Sequence, residues 1–114
     1  MTTFKKGDVV LVAFPFTDLT TSKVRPALVI SLDSFQQSGL DVVLAGITSQ
    51  IPKKIPVTDF LLSPEDQRQA GLPKPSIVRL GKIVTLDKRL IRKKLGHLPE
   101  TTLSKLTSEL HKIF

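Results

Sequence analysis

The 114-residue chain contains no cysteine, no tryptophan, no tyrosine and a single methionine. Without thiols it can form neither a disulfide framework nor a thiolate metal site, which suits a reducing cytoplasm. There are only two histidines, His97 and His111, fourteen positions apart near the C-terminus. With no His/Cys cluster a catalytic zinc centre is not expected, and both rings are assigned ordinary surface or helix-end roles. No apolar run reaches the length that spans a bilayer. Lys5 and Lys6 are followed by Asp8, Asp18 and prolines before any small-residue cleavage site, so no secretory signal is read. The chain is expected to be cytoplasmic. Phosphate-cradling glycine loops, G-x-S-x-G, H-E-x-x-H and calcium loops are all missing. A two-metal nuclease needs several converging carboxylates, and most of the ten acids fall where turns or helix starts account for them. Neither a metal nor a cofactor is expected.

What the chain has in excess is positive charge. Lysine and arginine total 17 against 10 acids, a net charge of +7, and the sequence pI is near 10.0. Such a field attracts polyanions, so nucleic acid or an acidic protein is the favoured partner class. The plain alternative is a lysine-rich surface that serves solubility. Charge alone does not separate DNA, RNA and acidic protein.

Residues 1–114 read as one domain with a β-rich body and a helical tail. Val9-Val10-Leu11-Val12-Ala13-Phe14 is a continuous apolar run rich in β-branched residues, so Asp8 to Phe14 is the first strand, stopped by Pro15. The polar stretch Thr17 to Lys23 has loop chemistry. Val24 to Ser31 is a second strand with Pro26 near its start. Asp41 to Thr48 is a third, and its run of Val42, Val43, Leu44 and Ala45 implies burial on both faces. A short fourth strand is expected over Ile55 to Val57. Ser63 followed by Pro64 marks a helix start, giving one short helix before Gly71. Ile77 to Thr85 is the fifth strand, with Gly81 marking a bulge or bend. Asp87 to Leu95 is helix-compatible, with Gly96 as its C-terminal stop. From Glu100 to Ile113, Leu103, Leu106, Leu110 and Ile113 make an apolar stripe at helical spacing. Its expected use is packing on the body of the same domain. Short strands without long helices between them predict a compact barrel rather than a βαβ sheet.

A basic chain of this make-up has limited means of catalysis. Cleavage of RNA by its own 2′-hydroxyl requires removal of the 2′ proton, neutralisation of the pentavalent phosphorane and protonation of the leaving 5′ oxygen. A guanidinium fork serves the second need, because it matches phosphate oxygens bidentately. A nearby hydroxyl can add a hydrogen bond to the developing charge.

Several segments then resemble the MazF/PemK family of toxins. They are Gly7-Asp8-Val9-Val10-Leu11-Val12, Phe14-Pro15-Phe16-Thr17-Asp18, Lys23-Val24-Arg25-Pro26-Ala27-Leu28-Val29-Ile30 and Ala45-Gly46-Ile47-Thr48-Ser49. Further on, Lys74-Pro75-Ser76-Ile77-Val78-Arg79-Leu80, Lys82 to Lys88 and Leu95-Gly96-His97-Leu98 continue the match in order. The resemblance implies a mainly β, SH3-like (CcdB/PemK-type) barrel with short helices and a C-terminal α-helix, usually a homodimer. It implies the toxin of a type II toxin–antitoxin system, a metal-independent endoribonuclease that cuts single-stranded RNA at specific sequences and is neutralised by an acidic antitoxin. It assigns the phosphate-stabilising role to Arg25, before the proline of the R-P motif. Thr48, at the end of the third strand, takes a hydrogen-bonding role. Ser76 falls where the family has a small polar residue near the substrate. Lys23, Arg79 and Lys82 are candidate phosphate contacts. Lys88, Arg89, Arg92, Lys93 and Lys94 form a basic run, read as a solvated helix face or an antitoxin contact.

Each position has an ordinary reading as well. Arg25 can begin an edge strand and pair with Asp18, Thr48 can cap a turn, and the remaining cations can be solvated surface. The chain also departs from the family pattern. Thr20-Thr21-Ser22 stands where many members carry loop glycines, and only phenylalanines are left to stack an unpaired base. Two other functions compete: a non-enzymatic gyrase-binding poison of the CcdB type, which shares the fold, and an SH3-like module that binds RNA without cutting it.

Overall fold

The computed structural model describes residues 4–14, 23–33 and 39–113. The elements run β1 (Asp8–Phe14), β2 (Lys23–Val29), β3 (Asp41–Thr48), β4 (Asp59–Leu61), α1 (Pro64–Gln69), β5 (Ile77–Asp87), a 3-10 turn (Lys88–Leu90), β6 (Ile91–His97) and α2 (Glu100–His111). The loop expected over Thr17 to Lys23 lies mostly outside the described residues, as does Asp18.

The six strands form one sheet in the order β4-β5-β3-β2-β1-β6, with every neighbouring pair antiparallel. The apolar runs are continuous because both faces are covered. Consecutive side chains on a strand point to opposite faces, and Val9/Val10, Leu28/Ala27 and Ala45/Leu44 divide between two core clusters. One cluster lies under the helices and includes Leu62, Ala70, Leu98, Leu103 and Leu106. The other gathers Phe4, Val12, Val29, Val42 and Leu86 on the opposite face. Burying Leu103 and Leu106 of α2 contributes on the order of 1.5–3 kcal/mol each, which is what holds the tail on the body.

Among the described residues the end strands β4 and β6 do not pair, so no β-ladder closes the sheet. The gap is spanned by α1, which follows β4 and meets β6 at its C-terminal end. The contact is backbone on backbone. A Cβ added at Gly96 would lie 2.2 Å from Gln69 O, and one added at Gly71 would lie 2.1 Å from Leu95 O. Gly71 also has φ of +72°, a conformation that side chains disfavour. The mainly β architecture with short helices and a C-terminal helix is thus as expected.

The start of α1 matches its reading. Ser63 Oγ accepts from Asp66 N at 3.1 Å, with Pro64 in the first turn. Two elements differ. The fourth strand is Asp59–Leu61, not Ile55 to Val57, where Pro52 and Pro56 interrupt donors and Val57 stands 93% exposed. The segment Asp87 to Leu95 is a 3-10 turn and an edge strand, not a helix. Its pairing with β1, from Asp8↔His97 to Val12↔Ile91, overrides a helix-favouring composition. Gly96 serves the close approach to α1 and stops no helix. The apolar stripe of α2 ends at Leu110, and Ile113 is 38% exposed.

Candidate active site

Arg25 and Thr48 belong to neighbouring strands. The β2–β3 ladder pairs Val29 with Leu44, Leu28 with Ala45 and Ala27 with Gly46. The ladder ends there, two residues short of Arg25 and Thr48, which line the same two clefts. On its other side Arg25 pairs with Val12 of β1. Arg25 is exposed, and among the described residues no acid pairs with it.

Two adjacent clefts share Arg25, Pro26, Ile47, Thr48 and Gln50. The first has a volume of about 480 Å³ and is walled mainly by apolar side chains from β1, β6 and the segment after α1. The second, about 620 Å³, adds Arg79 and Lys82 over a floor that includes Ile83 and Val84. Arg25 and Thr48 therefore stand on the saddle between two depressions, the first lined also by Lys74 and the second by Arg79 and Lys82.

Thr48 Oγ1 accepts a hydrogen bond from Gln50 N at 3.1 Å. The turn cap expected of an ordinary strand-end threonine is present. It occupies a lone pair and leaves the hydroxyl proton available for donation. Ser76 is buried and lines the first cleft, but its Oγ donates to Lys74 O at 2.9 Å. What it retains for a ligand is acceptor capacity. Arg79 lines the second cleft with its Nε 3.8 Å from the nearly buried Asp59 Oδ2, opposite which it sits in the β4–β5 ladder. Lys82 is exposed. Lys23 opens β2 opposite Phe14, and its side chain lies outside what is described.

The cations of the second cleft owe their placement to a break in β5. Ala45 pairs with Ile83, but the next residue, Gly46, pairs with Arg79. Leu80, Gly81 and Lys82 are looped out of the ladder, as the glycine suggested. Leu80 N bonds instead to Thr58 O at 3.0 Å.

Gln50, Lys74 and the apolar lining of the first cleft carried no signal in the sequence beyond their place in the family-like blocks. A second polar centre also escaped the reading. Asp8 is 1% exposed and accepts from Lys5 N at 2.9 Å, His97 Nδ1 at 2.7 Å and Lys94 Nζ at 3.2 Å. Burial pushes its carboxyl up, but hydrogen bonds from the Lys5 amide, His97 and Lys94 outweigh that and hold it below its ordinary value. His97 is thus tied to a buried acid. This centre lies four residues from Val12 along β1, roughly 13 Å at ordinary strand rise. Asp87 is held at about 2 by the side chain and amide of Arg89, a local clasp at the 3-10 turn. Among the described residues no three His, Asp or Glu side chains converge as metal ligands, and no helix is long and apolar enough to cross a membrane.

An open antiparallel sheet bridged by a short helix, with a second helix packed on one face, matches known proteins. The model of the PemK-like, MazF-like toxins of type II toxin–antitoxin systems matches residues 5–114. The chain belongs to that family. It is 31% identical over 108 residues to Endoribonuclease EndoA of Bacillus subtilis (strain 168), covering 93% of this chain and 90% of that protein. Its fold is shared with MazF from Deinococcus radiodurans (TM-score 0.76, 21% identity, 99% and 97% of the two chains). It is shared as well with an endoribonuclease in complex with its cognate antitoxin from a mycobacterial species (TM-score 0.72, 23% identity, 95% and 91%).

Proposed function

We propose that this chain is the toxin of a type II toxin–antitoxin pair and acts in the cytoplasm as an endoribonuclease on single-stranded RNA, without a metal ion. The observation that carries this reading is that Arg25 and Thr48 together line both clefts, on the saddle between them. Membership of the toxin family and the endoribonuclease relative support it. The scissile phosphate lies at the saddle. Arg25 donates a planar pair of hydrogen bonds to its non-bridging oxygens as the 2′ oxygen bonds to phosphorus and the 5′ oxygen leaves. The Thr48 hydroxyl, held by Gln50 N, donates a further bond to the same developing charge. Arg79, Lys82 and Lys23 take flanking phosphates, and Ser76 braces the first cleft. The +7 charge favours such a substrate. It also favours an acidic antitoxin, for which the exposed cations Arg92, Lys93 and Lys94 on the edge strand β6 are the proposed contact. The working form is a homodimer.

The test is incubation of the purified protein with a long single-stranded RNA in EDTA, with cut sites mapped. Discrete cuts are expected, absent when the nucleotide 5′ to the cut is 2′-deoxy. Arg25→Ala and Thr48→Val should each lower the rate about 10²-fold or more, the scale of losing one donor to a developing oxyanion, while Thr48→Ser restores it. Intact RNA throughout would reject the nuclease and leave a protein-binding poison or a non-cleaving RNA module.

A further inference from the structure

We infer that Asp59 is a positioning residue for the second cleft: its buried carboxylate holds the Arg79 guanidinium so that the free edge of the fork meets a phosphate there. This rests on the proposed assignment of Arg79 to a flanking phosphate. Three observations carry it. First, the backbone fixes the pair. Asp59 stands opposite Arg79 in the β4–β5 ladder, and partners across strands turn their side chains to the same face. Asp59 N donates to Pro56 O at 2.9 Å and Leu80 N to Thr58 O at 3.0 Å, so the chain is tied on both sides of the pair. Aspartate is a short, stiff arm, and arginine a long one with large rotamer entropy. Anchoring the guanidinium from below removes part of the ordering cost of binding. The same row continues onto Gly46, opposite Arg79 in the β3–β5 ladder. A Cβ there would meet Lys82 O only at 3.8 Å, so packing does not require the glycine. Its missing side chain keeps open the lane from Arg79 toward the saddle in the second cleft.

Secondly, the contact is made through the nitrogen that leaves the fork free. Arg79 Nε is the atom 3.8 Å from Asp59 Oδ2. At that length the approach is an ion pair and not a hydrogen bond, so the acid orients the guanidinium without taking up its donors. The two terminal nitrogens, the edge that matches phosphate oxygens bidentately, are kept for another anion. Thirdly, Asp59 does little for the fold. Its side chain is 4% exposed and that of Arg79 43%. Burying a carboxylate is costly unless it is paired and hydrogen-bonded, and an ion pair to a half-exposed arginine returns little of that cost. The similarly buried Asp8, by contrast, accepts from three donors. A local cost without a structural return is a mark of functional positions.

The test is a double-mutant cycle read by binding of an all-deoxy single strand, which has no 2′-hydroxyl through which to be cut. Asp59→Asn should weaken that binding about three- to fivefold, the upper range for one exposed ion pair at tenfold per 1.4 kcal/mol, and leave Tm unchanged. In an Arg79→Ala background the same change should weaken nothing. Asp59→Glu, which returns the charge, should recover part of the loss. The side-chain Nε–H NMR signal of Arg79 should shift in Asp59→Asn with no ligand present. Unchanged or tighter binding by Asp59→Asn would overturn the inference, since the acid would then do no more than repel phosphate. Equal weakening with and without Arg79 would overturn it too. RNA cleavage is assayed on the same samples, where Asp59→Asn should raise KM and leave kcat as it is. Strand binding that depends on Asp59, with RNA left intact, would sink the nuclease and keep the positioning role; cleavage with a KM indifferent to Asp59 would do the reverse.

Discussion

Replacing Asp8 tests how the N-terminal end of β1 is held. Its carboxylate is buried and accepts from a backbone amide, a histidine and a lysine. Asp8→Ala leaves the part-buried Lys5 amide without that partner, at the lower end of about 1–3 kcal/mol. It also strands two side chains drawn toward a buried acid. A fully buried pair broken on one side costs roughly 3–5 kcal/mol, but here the Lys94 and His97 side chains are 51% and 41% exposed and rehydrate. The expected loss is therefore at the lower end, about 2–3 kcal/mol. For a domain of this size that is a fall in Tm of about 8–12 °C. Asp8→Asn keeps an oxygen for the Lys5 amide and should lose about half as much. Because the folded carboxyl titrates below its ordinary 3.8, its stabilisation is fully present above that value and is lost as pH falls through the lower, folded one. The gap between wild type and Asp8→Asn should thus be constant at neutral pH and shrink below 3.8. Denaturant melts across pH measure this. A gap under about 0.5 kcal/mol at pH 7, the ordinary surface effect, would refute the reasoning.

Three further outcomes are expected. Gly96→Ala should destabilise by about 3 kcal/mol, the upper end for overpacking against backbone, measured by thermal melts; a neutral result would mean that α1 and β6 separate freely. Thr102→Val should lower stability by about 1–2 kcal/mol, because its hydroxyl donates to both Asp66 oxygens and ties α2 to α1; a Tm unchanged in urea and heat would remove that tie. Affinity for a 2′-deoxy single strand should fall steeply with salt, by a log–log slope of about 0.7 per phosphate contacted, and Lys82→Ala should reduce the slope by about that amount. A flat salt response would exclude a polyanion at the clefts.

Strands buried on both faces were legible because they leave uninterrupted β-branched runs, as in Val9 to Phe14 and Val42 to Ala45. The cap of α1 was legible in Ser63-Pro64, a local signature that needs no tertiary context. What eluded the sequence was set by distant partners. The segment from Asp87 to Leu95 has helix-forming residues, and only the pairing with β1 makes its part from Ile91 onward a strand. Its three exposed cations are what an outer strand carries to deter further pairing. The three-residue β4 is too short to leave a pattern, so the apolar Ile55 and Val57 drew the assignment instead. Of the candidate site, Arg25 and Thr48 could be named from family-like motifs, and their meeting at the clefts is set by the packing of neighbouring strands, which no local pattern encodes. The Asp8–His97 pair joins residues 89 positions apart, beyond any local reading.

The loop-out at Leu80, Gly81 and Lys82 works as an adjustable spacer. The ladder resumes in regular register on both sides of it, while Leu80 within it is buried in the helix-side core and bonds to Thr58 O. One end of the loop-out is therefore pinned and the other, with the exposed Lys82, faces the cleft. A change of residue at Gly81 or Lys82 would re-gauge the grip on a polyanion while leaving the register on both sides where it is.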